Sequence, residues 1–227
     1  MRSKITVLAK ETDYWVAIKP NGMSFHAESD DLGFIQSMKE SYPESTFYPV
    51  HRLDKITSGL ILLATNKTAA QTFSTLFEEH QIEKYYLALS RKKPKKKQGT
   101  IKGGMQTSRR GSWMLTQAKD NWAQTQFFST SIDTGLRLFL LKPKTGKTHQ
   151  LRVALKSIGS PILGDKRYGA EESDRGYLHA FHLSFDWYGI TKTYQYLPDN
   201  GEKFQTLASV LEELNWLNPR QLKWPQD

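Results

Sequence analysis

Residues 51–81 read HRLDKITSGLILLATNKTAAQTFSTLFEEHQ. Within them Leu60-Ile61-Leu62-Leu63-Ala64 is apolar without alternation, the pattern of a strand buried on both faces, and Gly59 opens it. Thr65 or Asn66 then offers a side-chain oxygen to the first free amides of a helix. Behind that cap Ala69, Ala70, Phe73, Leu76 and Phe77 recur at helical spacing. A buried strand feeding an amphipathic helix is therefore expected here. Just before the strand, the polar turn His51–Lys55 sets Asp54 between Arg52 and Lys55. Flanking cations favour a carboxylate as the anion, suited to work as a nucleophile or base. Taken alone, these five residues are better accounted for as a strand-entry turn with a surface ion pair.

Working outward, Ile5–Ala9 and Tyr14–Ile18 read as short strands joined by a turn at Lys10–Asp13, and Pro20-Asn21-Gly22 stops the second. Asp31–Ser41 suits a short helix with Leu32, Ile35 and Met38 on one face, ended by Pro43. On the other side, Tyr85–Leu89, Ala123–Thr130 and Leu136–Leu141 are strand candidates, with a turn at Asp133-Thr134-Gly135. Tyr85 and Tyr86 point to opposite faces of an extended strand, so one can fill the core while the other lines a cleft, although both often pack inside. Thr148 is placed to cap a helix bearing Leu151, Leu155 and Ile158, with Gly159 as its left-handed terminator. Arg152 falls about one turn into that helix, where arginine is usually exposed. If it is buried against an anion instead, its removal costs roughly 3–5 kcal/mol. Phe204, Leu207, Val210, Leu211 and Leu214 form a last amphipathic stripe. Strands, inserted helices and strands again predict an α+β fold over a single domain, residues 1–227: a largely antiparallel mixed sheet with flanking helices.

Composition narrows the chemistry. The chain has 227 residues, 38% hydrophobic and 24% charged, an ordinary globular balance. No apolar run approaches the length of a membrane span, and MRSKITVLAK lacks the apolar stretch of a signal peptide. No membrane association is expected. There is no cysteine, which excludes disulfides, thiolate metal sites and thiol nucleophiles and makes the cytoplasm the default location. His179 and His182 have a spacing that would suit a metal on a helix, but LHAFHLSFDW alternates like a strand; both are expected to be structural, and no metal is expected. No GxGxxG or P-loop spacing is present, so no nucleotide cofactor is expected either.

The net charge of +9 is concentrated. Lys84–Lys119 holds eleven of the 32 Lys and Arg and no acid, leaving 21 basic against 23 acidic side chains elsewhere. Such a stretch attracts polyanions, or forms a solvated loop that keeps the protein soluble. A basic loop or flap at about residues 91–119 is expected, with Trp113 and Trp122 at its border.

Taken together, several segments resemble the RluA-type pseudouridine synthase family, over nearly the whole length. DYWVAIKPNG (13–22) is similar to that family's first strand and Lys-Pro-x-Gly turn. PVHRLDKITSGLILLATN (49–66) resembles the signature around its catalytic aspartate, and the spacing of Lys84, Tyr86 and Ala88 follows where the family has it. TGKTHQLRVALKSIGSPILGDKRYG (145–169) is similar to the third motif with its Gly-Asp-x-x-Tyr-Gly continuation, and LHAFHLSF (178–185) to the closing strand. Lys147 stands where the family usually has Arg, and Ala154 where it often has His. The resemblance starts at the catalytic core, so no S4-like module is expected.

The resemblance implies a cofactor-free isomerase converting uridine to pseudouridine in ribosomal or transfer RNA around a central active-site cleft; without an S4-like module a monomer is expected. It implies Asp54 as the nucleophile, attacking either sugar or ring, and Arg152 as the partner that keeps it ionised. Tyr86 would face the uracil, and Arg52 would occupy the space of a flipped nucleotide. Lys92, Lys93, Lys95, Lys96, Lys97 and Lys147 are the expected RNA contacts. Two other readings explain part of this: a non-catalytic RNA binder, and a glycosidase with Asp165 as its second carboxylate.

Overall fold

A computed structural model describes residues 4–27 and 32–226. The chain runs through β1 (Val7–Lys10), β2 (Tyr14–Lys19), α1 (Gly33–Ser41), β3 (Tyr48–Pro49), β4 (Thr57–Ala64) and α2 (Lys67–Glu78). Next come β5 (Glu83–Ser90), β6 (Gln98–Thr107), β7 (Trp113–Thr116), β8 (Trp122–Asp133) and β9 (Leu136–Pro143). The last elements are α3 (Gln150–Ser157), β10 (Leu178–Trp187), β11 (Ile190–Gln195) and α4 (Leu207–Glu213). Two compact units result. The first is the chain up to Glu83 with Ala180–Tyr196; the second is Lys84–His179 with the chain from Leu197 on. The α+β class with a largely antiparallel sheet and flanking helices is as expected.

In the first unit β2 pairs antiparallel with β1 and β4, from Tyr14↔Ala64 to Lys19↔Gly59. All eight residues of β4 are buried, as its unbroken apolar run requires. Asn66 caps α2, its side chain accepting from the Ala69 amide at 2.8 Å, and the helix lays Ala69 and Phe73 on the sheet. There Phe73 stacks on Trp187 at 4.3 Å, and Tyr14 meets Phe73, Phe185 and Trp187 edge-on at 5.4 Å each. Gly59 lies inside β4 rather than opening it. Its φ is +109°, and a Cβ there would sit 2.2 Å from the Ala180 carbonyl oxygen, so only glycine lets β10 come this close.

The first helix differs from expectation. Asp31 lies outside the described residues, and α1 starts at Gly33, whose φ of +69° and contact with the His26 carbonyl exclude a side chain. Its buried stripe is Phe34 and Met38, four residues apart, with Leu32 and Ile35 only half-buried.

In the second unit β5, β9, β8, β6 and β7 lie in that order, each antiparallel to its neighbours. Within the segment expected as a loop or flap, Gln98–Thr107 and Trp113–Thr116 are thus strand. Alternate residues of β6 explain it: Ile101 and Met105 turn inward, Met105 packing with Ala123, Val153 and Tyr168, while Lys102 and Gln106 are exposed. The single basic residue of the strand, Lys102, takes an outward position, and the polar Gln98 and Gln106 are exposed with it. Gly103-Gly104 hides the alternation. β7 and β8 flank β6 on opposite sides, so the connection between them must cross over it, and a Cβ at Gly104 would lie 2.4 Å from the Ala118 carbonyl oxygen. Asn121 fastens the crossing through its side-chain amide, which donates to the Met105 carbonyl.

α3 is not capped by Thr148. The N-cap position is His149, at φ +57° and without a side-chain cap hydrogen bond, while Gln150 Oε1 ties the preceding loop to the helix, accepting from the Lys147 amide at 2.9 Å and the Thr145 hydroxyl at 2.7 Å. Gly159 ends the helix at φ +76°, as expected. His179 and His182 lie on a strand, β10, and are buried.

Candidate active site

Asp54 sits in the first unit on a short turn, its own carbonyl accepting from the Thr57 amide at 2.9 Å. Its side chain is half-buried between exposed Arg52 and Lys55, with Leu53 anchored in the core beside it. The Lys-Pro-Asn-Gly turn holds this segment in place. Lys19 is fully buried, and its ammonium donates to the carbonyls of Pro20 (2.9 Å), Met23 (2.6 Å) and Lys55 (3.4 Å). The Gly22 amide donates to the Lys55 carbonyl at 2.9 Å, and the Asn21 side chain donates to the Ile56 carbonyl. On the other flank His51 Nε2 accepts from the Leu62 amide at 2.9 Å while its ring stacks on Phe77. A loop carboxylate gains the fixed geometry that catalysis needs from such backbone anchoring. The sequence singled out Lys19 only as part of a motif. Its role as a buried hub of carbonyl contacts follows from the chain reversal that brings residues 20–23 against 54–56.

The other implied residues belong to the second unit. Tyr86 is buried on β5, opposite Leu141 of β9, and Tyr85 packs on the reverse face against Trp224 at 5.6 Å. Two residues before Tyr86, Lys84 is held by burial below the usual lysine range, at about 8. Arg152 is buried, not exposed. Its Nε and Nη2 donate to Asp165 Oδ2 and Oδ1 at 2.7 and 2.8 Å, a two-pronged pair in which Asp165 is 1% exposed. Tyr168 covers the guanidinium with its ring face at 5.0 Å. The Tyr168 hydroxyl lies 2.8 Å from His149 Nδ1 and accepts from the Trp113 amide at 3.0 Å. The Gly-Asp-x-x-Tyr-Gly segment is therefore the seat of Arg152. The three-residue spacing of Asp165 and Tyr168 was the available signal, since one tight turn presents both to the same helix. With both Asp165 oxygens engaged by a buried arginine, this carboxylate is no second acid for a glycosidase.

The expected RNA-contacting lysines are placed individually. Lys92, Lys93, Lys95, Lys96 and Lys97 are all exposed on the connection from β5 to β6, and Lys147 is half-buried at the entry to α3.

Residues 13–157 match the model of the RNA pseudouridylate synthase family, and the chain belongs to that family. It is 48% identical over 213 residues to an uncharacterized RNA pseudouridine synthase of Haemophilus influenzae, covering 93% of this chain and 95% of the relative. It is 35% identical over 196 residues to the ribosomal large subunit pseudouridine synthase C of Rickettsia bellii, covering 81% of this chain and 65% of that protein. Among solved structures, human RNA pseudouridylate synthase domain containing 1 has the same fold, with a TM-score of 0.75 at 23% identity over 93% of this chain and 94% of that one. The protein is thus an RNA pseudouridine synthase, an isomerase of uridine in RNA.

Proposed function

We propose that this chain isomerises uridine in ribosomal RNA with Asp54 as the nucleophile. The observation that carries the reading is the Asp54 turn, a half-buried carboxylate whose neighbouring carbonyls are tied to Lys19, Asn21 and Gly22. The ribosomal substrate is supported by the name of the Rickettsia relative; transfer RNA is the other candidate of the same chemistry.

In the reaction the bond from N1 to C1′ breaks, the uracil turns, and C5 bonds to C1′. C5 loses a proton and N1 gains one, so electrons balance without oxidant, reductant or metal. Asp54 supplies the electron pair that holds the detached fragment through the turn, whether it attacks the sugar or the ring. Tyr86 faces the uracil and handles the C5 proton. Arg152, whose direction Asp165 fixes, contributes a preorganised positive charge. Arg52, exposed beside Asp54, holds the RNA backbone. A base inside a stacked helix is out of reach of such a carboxylate, so the target is single-stranded or flipped out.

Pseudouridine is mapped across ribosomal and transfer RNA in cells with and without the gene. One ribosomal position should lose its modification on deletion, and regain it with the wild type but not with Asp54→Asn. Purified Asp54→Asn should still bind RNA. Restoration by the variant would overturn the catalytic role, and loss at a transfer RNA position would overturn the substrate.

A further inference from the structure

β6 and β7 are joined by a tight turn, Arg109–Gly111, in which Arg110 adopts φ +54° and the Ser108 amide donates to the Ser112 carbonyl at 2.7 Å. Arg109 and Arg110 are exposed there. A third arginine is brought to the same tip from another element: Arg167 Nη1 donates to the Arg110 carbonyl at 2.8 Å. None of the three forms an ion pair with a carboxylate among the described residues. The Arg167 guanidinium is thus fixed on the turn that carries Arg109 and Arg110, and an anion reaching all three would offset the like charge of a tip with no paired acid.

The surroundings narrow the anion. Thirty-six consecutive residues, Lys84–Lys119, contain no acid, so a long polyanion meets no carboxylate from this stretch itself. Arg167 also lies on the turn that positions Arg152, between Asp165, which grips the guanidinium, and Tyr168, which covers it and accepts from Trp113 of β7. An anion bound at the tip is thereby kept at a set distance from Arg152. A phosphodiester chain needs such a fixed register if one nucleotide among many is to be presented for reaction.

We propose that Arg109, Arg110 and Arg167 form a phosphate clamp for the RNA backbone, distinct from the lysines before β6. This rests on the reading of the chain as an enzyme that acts on RNA, but not on Asp54.

The probe is a labelled oligoadenylate of about fifteen nucleotides, a length suited to single-strand sites. Having no uridine, it cannot react. Its binding is measured against salt for the full chain, for Arg109→Gln/Arg110→Asn/Arg167→Gln, and for a control, Lys39→Gln/Lys67→Gln/Lys223→Gln, of equal charge change. Asparagine tolerates the positive φ at 110, and thermal melting verifies that each variant is folded. The clamp variant should flatten the log–log salt slope by about 2, from about 0.7 per lost phosphate contact. The control should leave it nearly unchanged. Equal slopes for the clamp variant and the wild type, or equal flattening in clamp and control variants, overturn the proposal. Asp54→Asn should bind like the wild type, so failure of the nucleophile assignment would show only in product formation.

Discussion

Arg152 shows how one side chain can be legible in kind and hidden in context. Its place in the third motif was readable, but one turn into an amphipathic helix arginine is ordinarily solvent-facing. Burial came from Asp165, thirteen residues away on a turn that only the folded chain brings alongside. The pair is buried on both sides, so removing one member strands the other as an uncompensated charge. Asp165→Ala should lower stability by about 3–5 kcal/mol in urea unfolding. Arg152→Met with Asp165→Leu, which removes both charges, should recover much of that loss while leaving no product formation. A double variant as unstable as Asp165→Ala would mean that the pair stabilises by more than mutual compensation.

Elements whose sequence pattern has a single physical cause were read correctly. β4 is apolar because both its faces are buried, and α2 is amphipathic because one face meets the sheet. β6 failed because two demands overlap on it. Its inward Met105 must pack on Val153 and Tyr168, its outward residues are polar or, at Lys102, charged, and Gly103-Gly104 must yield to a chain passing overhead. Paired glycines among lysines look like a loop. The crossing makes a sharp prediction: Gly104→Ala places a methyl group 2.4 Å from a backbone oxygen that cannot move without releasing Asn121. It should cost about 1–3 kcal/mol, as overpacking does. Gly99→Ala, on the same strand, would meet only the Phe127 ring at 3.5 Å and should be close to neutral. Comparable thermal melting of the two variants would refute the crossing as the reason for the glycine.

At the scale of the whole molecule the charge follows the division into units. The first holds nine basic and twelve acidic side chains, the second 23 and eleven, so a basic excess of twelve sits in one unit against a deficit of three in the other. Reading the sequence located the excess but not its arrangement, because a loop and a strand can carry the same lysines. The structure puts seven of the basic side chains beyond the two ends of β6. Lys92, Lys93, Lys95, Lys96 and Lys97 precede the strand, fastened where the Ser129 amide and hydroxyl both donate to the Lys97 carbonyl. Arg109 and Arg110 follow it. Ten residues of strand separate the groups by about 33 Å, at the usual rise per residue, so their contributions to binding should add. Replacing the five lysines by glutamine should flatten the salt slope for oligoadenylate by up to about 3.5, at about 0.7 per phosphate contact. Combining this with the arginine-tip changes should give the sum of the two effects. Product formation at saturating RNA should persist in the lysine variant, because none of these side chains is asked to touch the reacting base. An unchanged slope would reduce the lysines to a solubilising loop and leave the arginine tip as the anchor for RNA on this arm.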